Sequence, residues 1–196
     1  MRHCLTSLAL LFASGLLATP RSAQAISGRA TALAGDTLEL TGQRLRLVES
    51  DAPELRQTCK RDGADWACGV QARNLLASLI DGQDVICEAH QPAPGQALWA
   101  TCRSGDASLA EAMVSAGLAV ATPYGEAALG QLQERVKQHQ LGIWAGEFAM
   151  PDAWRKANPK AVLPTASALS PARKATPKSE SARGKVYRNA FGCAIK

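Results

Sequence analysis

Residues 44–54 read RLRLVESDAPE. Leucine and arginine alternate over the first four positions, a pattern typical of a strand with one buried face. Three carboxylates follow at Glu49, Asp51 and Glu54, and Pro53 bends the chain between the last two. Charges of both signs at the end of a half-buried strand indicate either a solvated strand end or a site that holds a cation and an anion.

The flanking segments predict a small barrel around this strand. Between Ile26 and Glu49, turn residues at 34–36 and 41–43 separate three short strands. Two further strands are predicted over residues 84–90 and 97–102. This order favours an α+β, mainly β fold, a five-stranded OB-fold barrel.

About three helices are expected to pack on this barrel. The first has a predicted apolar stripe and ends at Gly82. The stripe consists of Val70, Leu75, Leu76, Leu79 and Ile80. A second helix begins at the capping box formed by Ser108 and Glu111, and a third covers residues 125–140.

The two ends of the chain differ in composition from the body. Residues 1–25 read as a secretory signal peptide, because a short apolar run precedes the small residues Ala23 and Ala25, and an uncleaved membrane anchor is the alternative. The predicted domain covers 26–156, followed by a Pro/Ala/Ser/Lys-rich linker over 157–185 and a short segment over 186–196. We expect a periplasmic or secreted monomer with no stable membrane insertion after signal cleavage.

Export favours disulfides for the closely spaced cysteines. The predicted pairs are Cys59 with Cys68 and Cys87 with Cys102. Zinc ligation is the alternative, although no two cysteines have Cys-x2-Cys spacing. Cys193 is left without a predicted partner in the chain.

The formal net charge of +5 is unevenly distributed. Residues 26–154 carry ten Lys or Arg and sixteen Asp or Glu, whereas residues 155–196 carry ten cations and one acid. The body is therefore acidic, and the C-terminal end is read as a disordered basic tail that would attract polyanions.

Four polar residues near the predicted strand ends could form a reactive site. Carboxylates at Asp36 and Asp51 can converge on a hard cation such as Ca²⁺. The guanidinium of Arg46 can bind phosphate through two hydrogen bonds, and the carboxylate of Glu54 can deprotonate a water molecule. These parts suit phosphodiester hydrolysis, but acidic strand ends are also common without any function.

Several segments together resemble the staphylococcal nuclease (thermonuclease) family, in its secreted bacterial branch. They are GDTLEL (35–40), RLRLVESDAPE (44–54), CGVQARNLLASLI (68–80), GIWAGEF (142–148) and PDAWR (151–155). The resemblance covers Ile26 to Arg155 and implies an OB-fold, Ca²⁺-dependent nuclease that acts on single-stranded DNA or RNA. It implies calcium ligands at Asp36 and Asp51 and a phosphate-binding arginine at Arg46. It further implies a general base at Glu54 and a substrate-binding tyrosine at Tyr124.

The chain departs from the family pattern in two places. Ala34 replaces an acid that neighbours the metal in the family. The place of the family's second phosphate-binding arginine falls on Gln96 or Ala97, and an aromatic residue that stacks on the nucleotide is also missing there. Arginine cannot be replaced by glutamine without loss of charge, and such a donor is typically worth about 10²- to 10³-fold in rate.

These departures leave three hypotheses. The first is a weakened exported nuclease, the second a non-catalytic module that binds nucleic acid or another polyanion, and the third an envelope scaffold. A guanidinium facing Glu54 would discriminate between the first two, with Arg44, Arg56 and Arg103 as sequence candidates. Trp99 is expected to be a barrel or surface residue.

Overall fold

The computed structural model describes residues 24–90 and 98–162. Residues 1–23 of the predicted signal peptide, residues 91–97 with Gln96 and Ala97, and residues 163–196 of the basic tail with Cys193 therefore lie outside the described residues. The last two residues of the predicted signal peptide, Gln24 and Ala25, begin the first strand and pair with Ala89 and Glu88. Ten strands lie in the described ranges: β1 Gln24–Ala32, β2 Thr37–Leu40, β3 Gln43–Leu47, β4 Ser50–Asp51, β5 Cys59–Arg61, β6 Ala64–Trp66, β7 Asp84–His90, β8 Leu98–Ser104, β9 Ala107–Ser108 and β10 Val120–Ala121. The α-helices there are α1 Cys68–Ile80, α2 Leu109–Ser115, α3 Ala127–Gln138 and α4 Pro151–Ala157, and a 3₁₀ turn covers Gly142–Ala145.

Five of these strands form the predicted barrel. β1, β2 and β3 form an antiparallel meander, β7 pairs with β1, and β8 pairs with β7. A parallel pairing of β3 with β8 closes the barrel. The alternating leucines of β2 and β3 point inward, with Leu38, Leu40, Leu45 and Leu47 all buried. The prediction of an OB-fold barrel is confirmed.

The helices differ from the sequence expectation in number and in one buried face. α1 buries Cys68, Ala72, Leu76 and Ile80, which recur every four residues, whereas Val70 is exposed. Of the predicted stripe, Leu76 and Ile80 are buried and Leu75 and Leu79 pack partly buried against the core, so Val70 alone departs from the expectation. α2 begins as predicted, since the side chain of Ser108 accepts a hydrogen bond from the Glu111 amide.

The fourth helix was not predicted. α4 has seven residues and begins with a buried proline at its first position, where no amide donor is needed. It ends at Ala157, so the last residue of the helix is the first residue of the predicted linker.

Both predicted disulfides are present. Cys59 bonds Cys68, which joins β5 to the start of α1, and Cys87 bonds Cys102 across the β7–β8 register. Two disulfides indicate an oxidising compartment rather than a reducing cytosol. None of the helices in the described ranges combines the length and apolar character that crossing a bilayer would require.

Candidate functional site

The β2–β3 hairpin brings Asp36 against Arg46. Thr37 is the register partner of Arg46, and the Leu47 amide donates to the carbonyl oxygen of Asp36 at 2.8 Å. The Asp36 side chain is only 4% exposed, and its Oδ1 accepts a hydrogen bond from the Thr37 hydroxyl at 2.8 Å. The pairing of β2 with β3 thus holds Asp36 next to Arg46, although the two residues are separated in sequence.

Arg46 bridges two carboxylates. Its Nη2 atom lies 2.7 Å from Oδ2 of Asp36 and donates to Oδ1 of Asp51 at 2.7 Å. Asp51 reaches this position because β4 follows β3 directly and pairs with β10 through Val120. Oδ2 of Asp36 and Oδ1 of Asp51 each lie 2.7 Å from the same Nη2 atom, so the two carboxylate oxygens are separated by at most twice that distance.

Glu54 is held in the loop after β4. The amide of Gln57 donates to its carbonyl oxygen at 2.7 Å, and the start of α1 packs directly against the same carbonyl. A Cβ atom at Gly69 would collide with that oxygen, so glycine is required for this close approach. The Glu54 side chain is 7% exposed and points toward the Asp36–Asp51 pair.

A second guanidinium completes the cluster, and sequence reasoning had missed it. The Nη1 and Nη2 atoms of Arg155 donate to Oδ1 and Oδ2 of Asp51, both at 2.8 Å. Nη1 also donates to Oε1 of Glu54 at 3.0 Å. Two of the candidates from sequence do not hold this place: Arg56 is exposed, and Arg103 pairs with Asp106 at 3.9 Å.

By sequence Arg155 is the first cation of the basic C-terminal end, and it is also the last residue of the PDAWR segment of the resemblance. The available signal was a proline at a helix start followed by an arginine in the last turn of a short helix. That signal predicts a helix but not what its arginine contacts.

The charges of the cluster shift its titration. Burial raises the pKa of Asp36, and the Asp51 carboxylate raises it further, while Arg46 opposes both effects. Burial and then Asp36 raise the pKa of Glu54, while Arg155 and Arg46 lower it. Hydrogen bonding to Asp51 raises the pKa of Arg155, so this guanidinium stays charged.

An aromatic pair borders the same cluster. Trp99 is the parallel-register partner of Arg46, and its ring meets that of Tyr124 edge-on, with centroids 5.4 Å apart. Tyr124 is 66% exposed and Trp99 37%. Trp99 is a barrel-strand residue at the surface, as expected, but its position beside Tyr124 was not expected.

One cavity of about 120 Å³ lies between the aromatic pair and the part of the cluster formed by Arg46, Asp51 and Arg155, whereas Asp36 and Glu54 do not line it. Its lining includes Arg46, Asp51, Trp99, Thr122, Tyr124 and Arg155. The Tyr124 segment is fixed there because the Thr122 hydroxyl donates to the Val48 carbonyl at 2.6 Å. The structure thus brings together five sequence-predicted site residues, namely Asp36, Arg46, Asp51, Glu54 and Tyr124.

Asp36 and Asp51 are the two carboxylates of the cluster that the resemblance implies as calcium ligands, and both are paired with guanidinium groups. Oδ2 of Asp36 is buried and lies 2.7 Å from Nη2 of Arg46, but no well-directed hydrogen bond reaches it, so its bonding capacity is only partly used. Within residues 24–90 and 98–162, this cluster included, no group of three or more His, Cys, Asp or Glu side chains is arranged to hold a metal ion. Asp36 and Asp51 would therefore supply the carboxylates, and backbone or water oxygens the other ligands of a Ca²⁺ ion.

Comparison with known proteins agrees with this geometry. Residues 44–146 match the family model described as staphylococcal nuclease homologue. The succinoglycan biosynthesis protein ExoI of Rhizobium meliloti (strain 1021) is 30% identical over 130 residues, which cover 64% of this chain and 68% of that protein. Such a domain supports a nuclease-like or nucleic-acid-binding function. On the barrel, the cluster and the matched sequence together, the chain belongs to the staphylococcal nuclease family.

Proposed function

We propose that the protein is an exported, Ca²⁺-dependent phosphodiesterase that cleaves single-stranded DNA or RNA. The observation that carries the proposal is the convergence of Asp36, Arg46, Asp51 and Glu54 in one cluster on the barrel. Ion pairs within the cluster offset the cost of burying these charges only in part, which supports a role for the cluster beyond stability.

Each residue has a proposed role. Asp36 and Asp51 hold the cation, which supplies Lewis-acid stabilisation of the phosphate when bound. Arg46 donates to a nonbridging phosphate oxygen. Glu54 accepts a proton from the attacking water, whose oxygen bonds to phosphorus while one P–O ester bond breaks, and the leaving oxygen takes a proton from solvent.

The substrate would lie over the cavity beside the cluster. The exposed ring of Tyr124 and the neighbouring ring of Trp99 offer apolar faces to an unpaired base. Bases inside a duplex are already stacked on their neighbours, so this arrangement favours single strands. We further propose residues 1–25 as the signal peptide, 26–156 as the folded domain and a monomer in the periplasm or outside the cell.

The competing function is a binding module without catalysis. Ala34, which replaces an acid near the metal, and the absence of arginine at Gln96 and Ala97 favour it. The name of ExoI concerns succinoglycan biosynthesis rather than nucleic acid, so activity must be measured and not inherited from a relative.

The deciding experiment is cleavage of labelled single-stranded DNA and RNA by the mature protein, in Ca²⁺ and in chelator. Glu54→Gln removes the base, and Glu39→Gln on the exposed face of β2 is the matched control. Calcium-dependent cleavage that only Glu54→Gln abolishes supports the enzyme. Binding without cleavage at high protein concentration supports the binding module instead.

A further inference from the structure

The guanidinium of Arg155 faces the reacting part of the proposed site. It contacts both oxygens of Asp51 and one oxygen of Glu54, and it lines the cavity together with Arg46. Its side chain is 22% exposed, so the group is accessible to a ligand that enters the cavity.

The charge balance of the cluster favours a role for this second guanidinium in phosphate binding. Asp36, Asp51 and Glu54 are three carboxylates, and Arg46 alone would leave the cluster with two uncompensated negative charges. A phosphodiester carries a negative charge of its own and would be repelled from such a cluster. Arg155 removes one of the two charges, and its planar fork matches two phosphate oxygens.

Arg155 is also positioned by the same residue that orders Glu54. The buried side chain of Gln57 accepts a hydrogen bond from the Glu54 amide at 3.2 Å and donates to the Ala149 carbonyl at 2.7 Å. Ala149 lies two residues before α4, whose first residue, Pro151, is buried. The helix that carries Arg155 is therefore fixed relative to the loop that carries Glu54.

We propose that Arg155 is the second phosphate-binding guanidinium of the site, supplied by α4 in place of an arginine on the barrel strand. It would exchange part of its contact with Asp51 and Glu54 for a nonbridging oxygen of the scissile phosphodiester, beside Arg46, with which it shares Oδ1 of Asp51. Arg155 keeps its proton throughout and undergoes no covalent change. This inference rests on the proposed function.

The test compares Arg155→Gln and Arg155→Lys with Lys156→Gln. Lys156 is the next residue on α4, is 79% exposed and pairs with Asp152 rather than with the cluster. We expect Arg155→Gln to lower kcat/KM about 10²- to 10³-fold, Arg155→Lys to retain an intermediate rate, and Lys156→Gln to match the wild type. Millimolar guanidinium ion should restore part of the rate of Arg155→Gln, which a purely structural role would not allow. Thermal melts identify any variant that fails to fold.

A binding arm keeps this inference separate from the proposed function. A phosphodiester single strand and a peptide nucleic acid of the same sequence are titrated in chelator, where no cleavage occurs. We expect Arg155→Gln to weaken binding of the phosphodiester about tenfold and to leave binding of the uncharged strand unchanged. If the wild type does not cleave, the enzyme proposal fails and this arm alone decides. The inference is overturned if a folded Arg155→Gln variant cleaves at the wild-type rate and binds the phosphodiester strand with the wild-type affinity.

Discussion

The side chain of Gln57 donates from Nε2 to the carbonyl oxygen of Ala149 at 2.7 Å, across 92 positions of sequence. The same side chain accepts from the Glu54 amide at 3.2 Å. Gln57 is 1% exposed, so neither bond can be replaced by water without opening the interior. A single buried amide thus links the loop of Glu54 to the helix of Arg155.

Gln57→Met should therefore disturb the site as well as the fold. The change keeps the side-chain volume but leaves the Ala149 carbonyl and the Glu54 amide without their partner, a loss of about 1–3 kcal/mol in the free energy of unfolding. We expect urea unfolding to report this loss and kcat/KM to fall further than the folded fraction. Gln71→Met, on the exposed face of α1, is the control. Unchanged stability would contradict the linking role of Gln57.

Glu54 predicts the pH dependence of cleavage. Burial raises its pKa above the ordinary value of 4.5, and a general base must be ionised. The acidic limb of kcat/KM should therefore lie above pH 4.5. Since Arg155 lowers this pKa, Arg155→Gln should move the limb to higher pH. A limb that stays in place in this variant would argue against direct coupling of the two groups.

The same shift has a consequence for stability. Because the folded pKa of Glu54 is raised above its unfolded value, the folded protein binds this proton more tightly. The stability that Glu54 contributes is present below pH 4.5 and is lost as the pH rises through the folded pKa. Urea unfolding of the wild type and of Glu54→Gln over this range should show a difference that grows with pH.

The sequence was sufficient wherever contacts are local. Alternating leucines predicted β2 and β3, and Asp36, Arg46 and Asp51 meet because a hairpin and the strand after it bring them together. Arg155 could not be predicted in the same way. It reaches Asp51 across 104 positions from a helix of seven residues, which is too short for a periodic signal.

Arg155 and a calcium ion would use the same oxygens of Asp51. Arg155→Gln removes the positive charge beside these ligands, so we expect Ca²⁺ to bind about tenfold more tightly, or about 1.4 kcal/mol. Calorimetric titration without substrate measures this directly, with Lys156→Gln as the control. Weaker or unchanged affinity would mean that Asp51 is not a calcium ligand.

The two disulfides should differ in their effect on activity. Cys87 and Cys102 are 15 positions apart, and their replacement by serine should cost about 3 kcal/mol of stability with little change in the activity of folded protein. Cys59 and Cys68 anchor the start of α1, which packs against the Glu54 carbonyl. Their replacement should reduce kcat as well. Equal losses of kcat in both double variants would contradict this distinction.

The aromatic pair allows a test of the proposed preference for single strands. Trp99 stands beside Arg46 on the barrel and meets Tyr124 at an interplanar angle of 68°, so one ring face is available to a base next to the bound phosphate. Stacking is worth about 1–3 kcal/mol per base, so Trp99→Leu should raise KM about tenfold or more while kcat changes little. Trp99→Phe should restore part of the affinity because it keeps an aromatic face. Ile86→Ala, an exposed apolar position on β7, is the control for general loss of apolar surface.

Quenching of tryptophan fluorescence by single-stranded DNA measures this stacking directly. We expect the quenching to be absent in Trp99→Phe and to be weaker with duplex DNA. Equal quenching by duplex would mean that the pair does not distinguish unpaired bases.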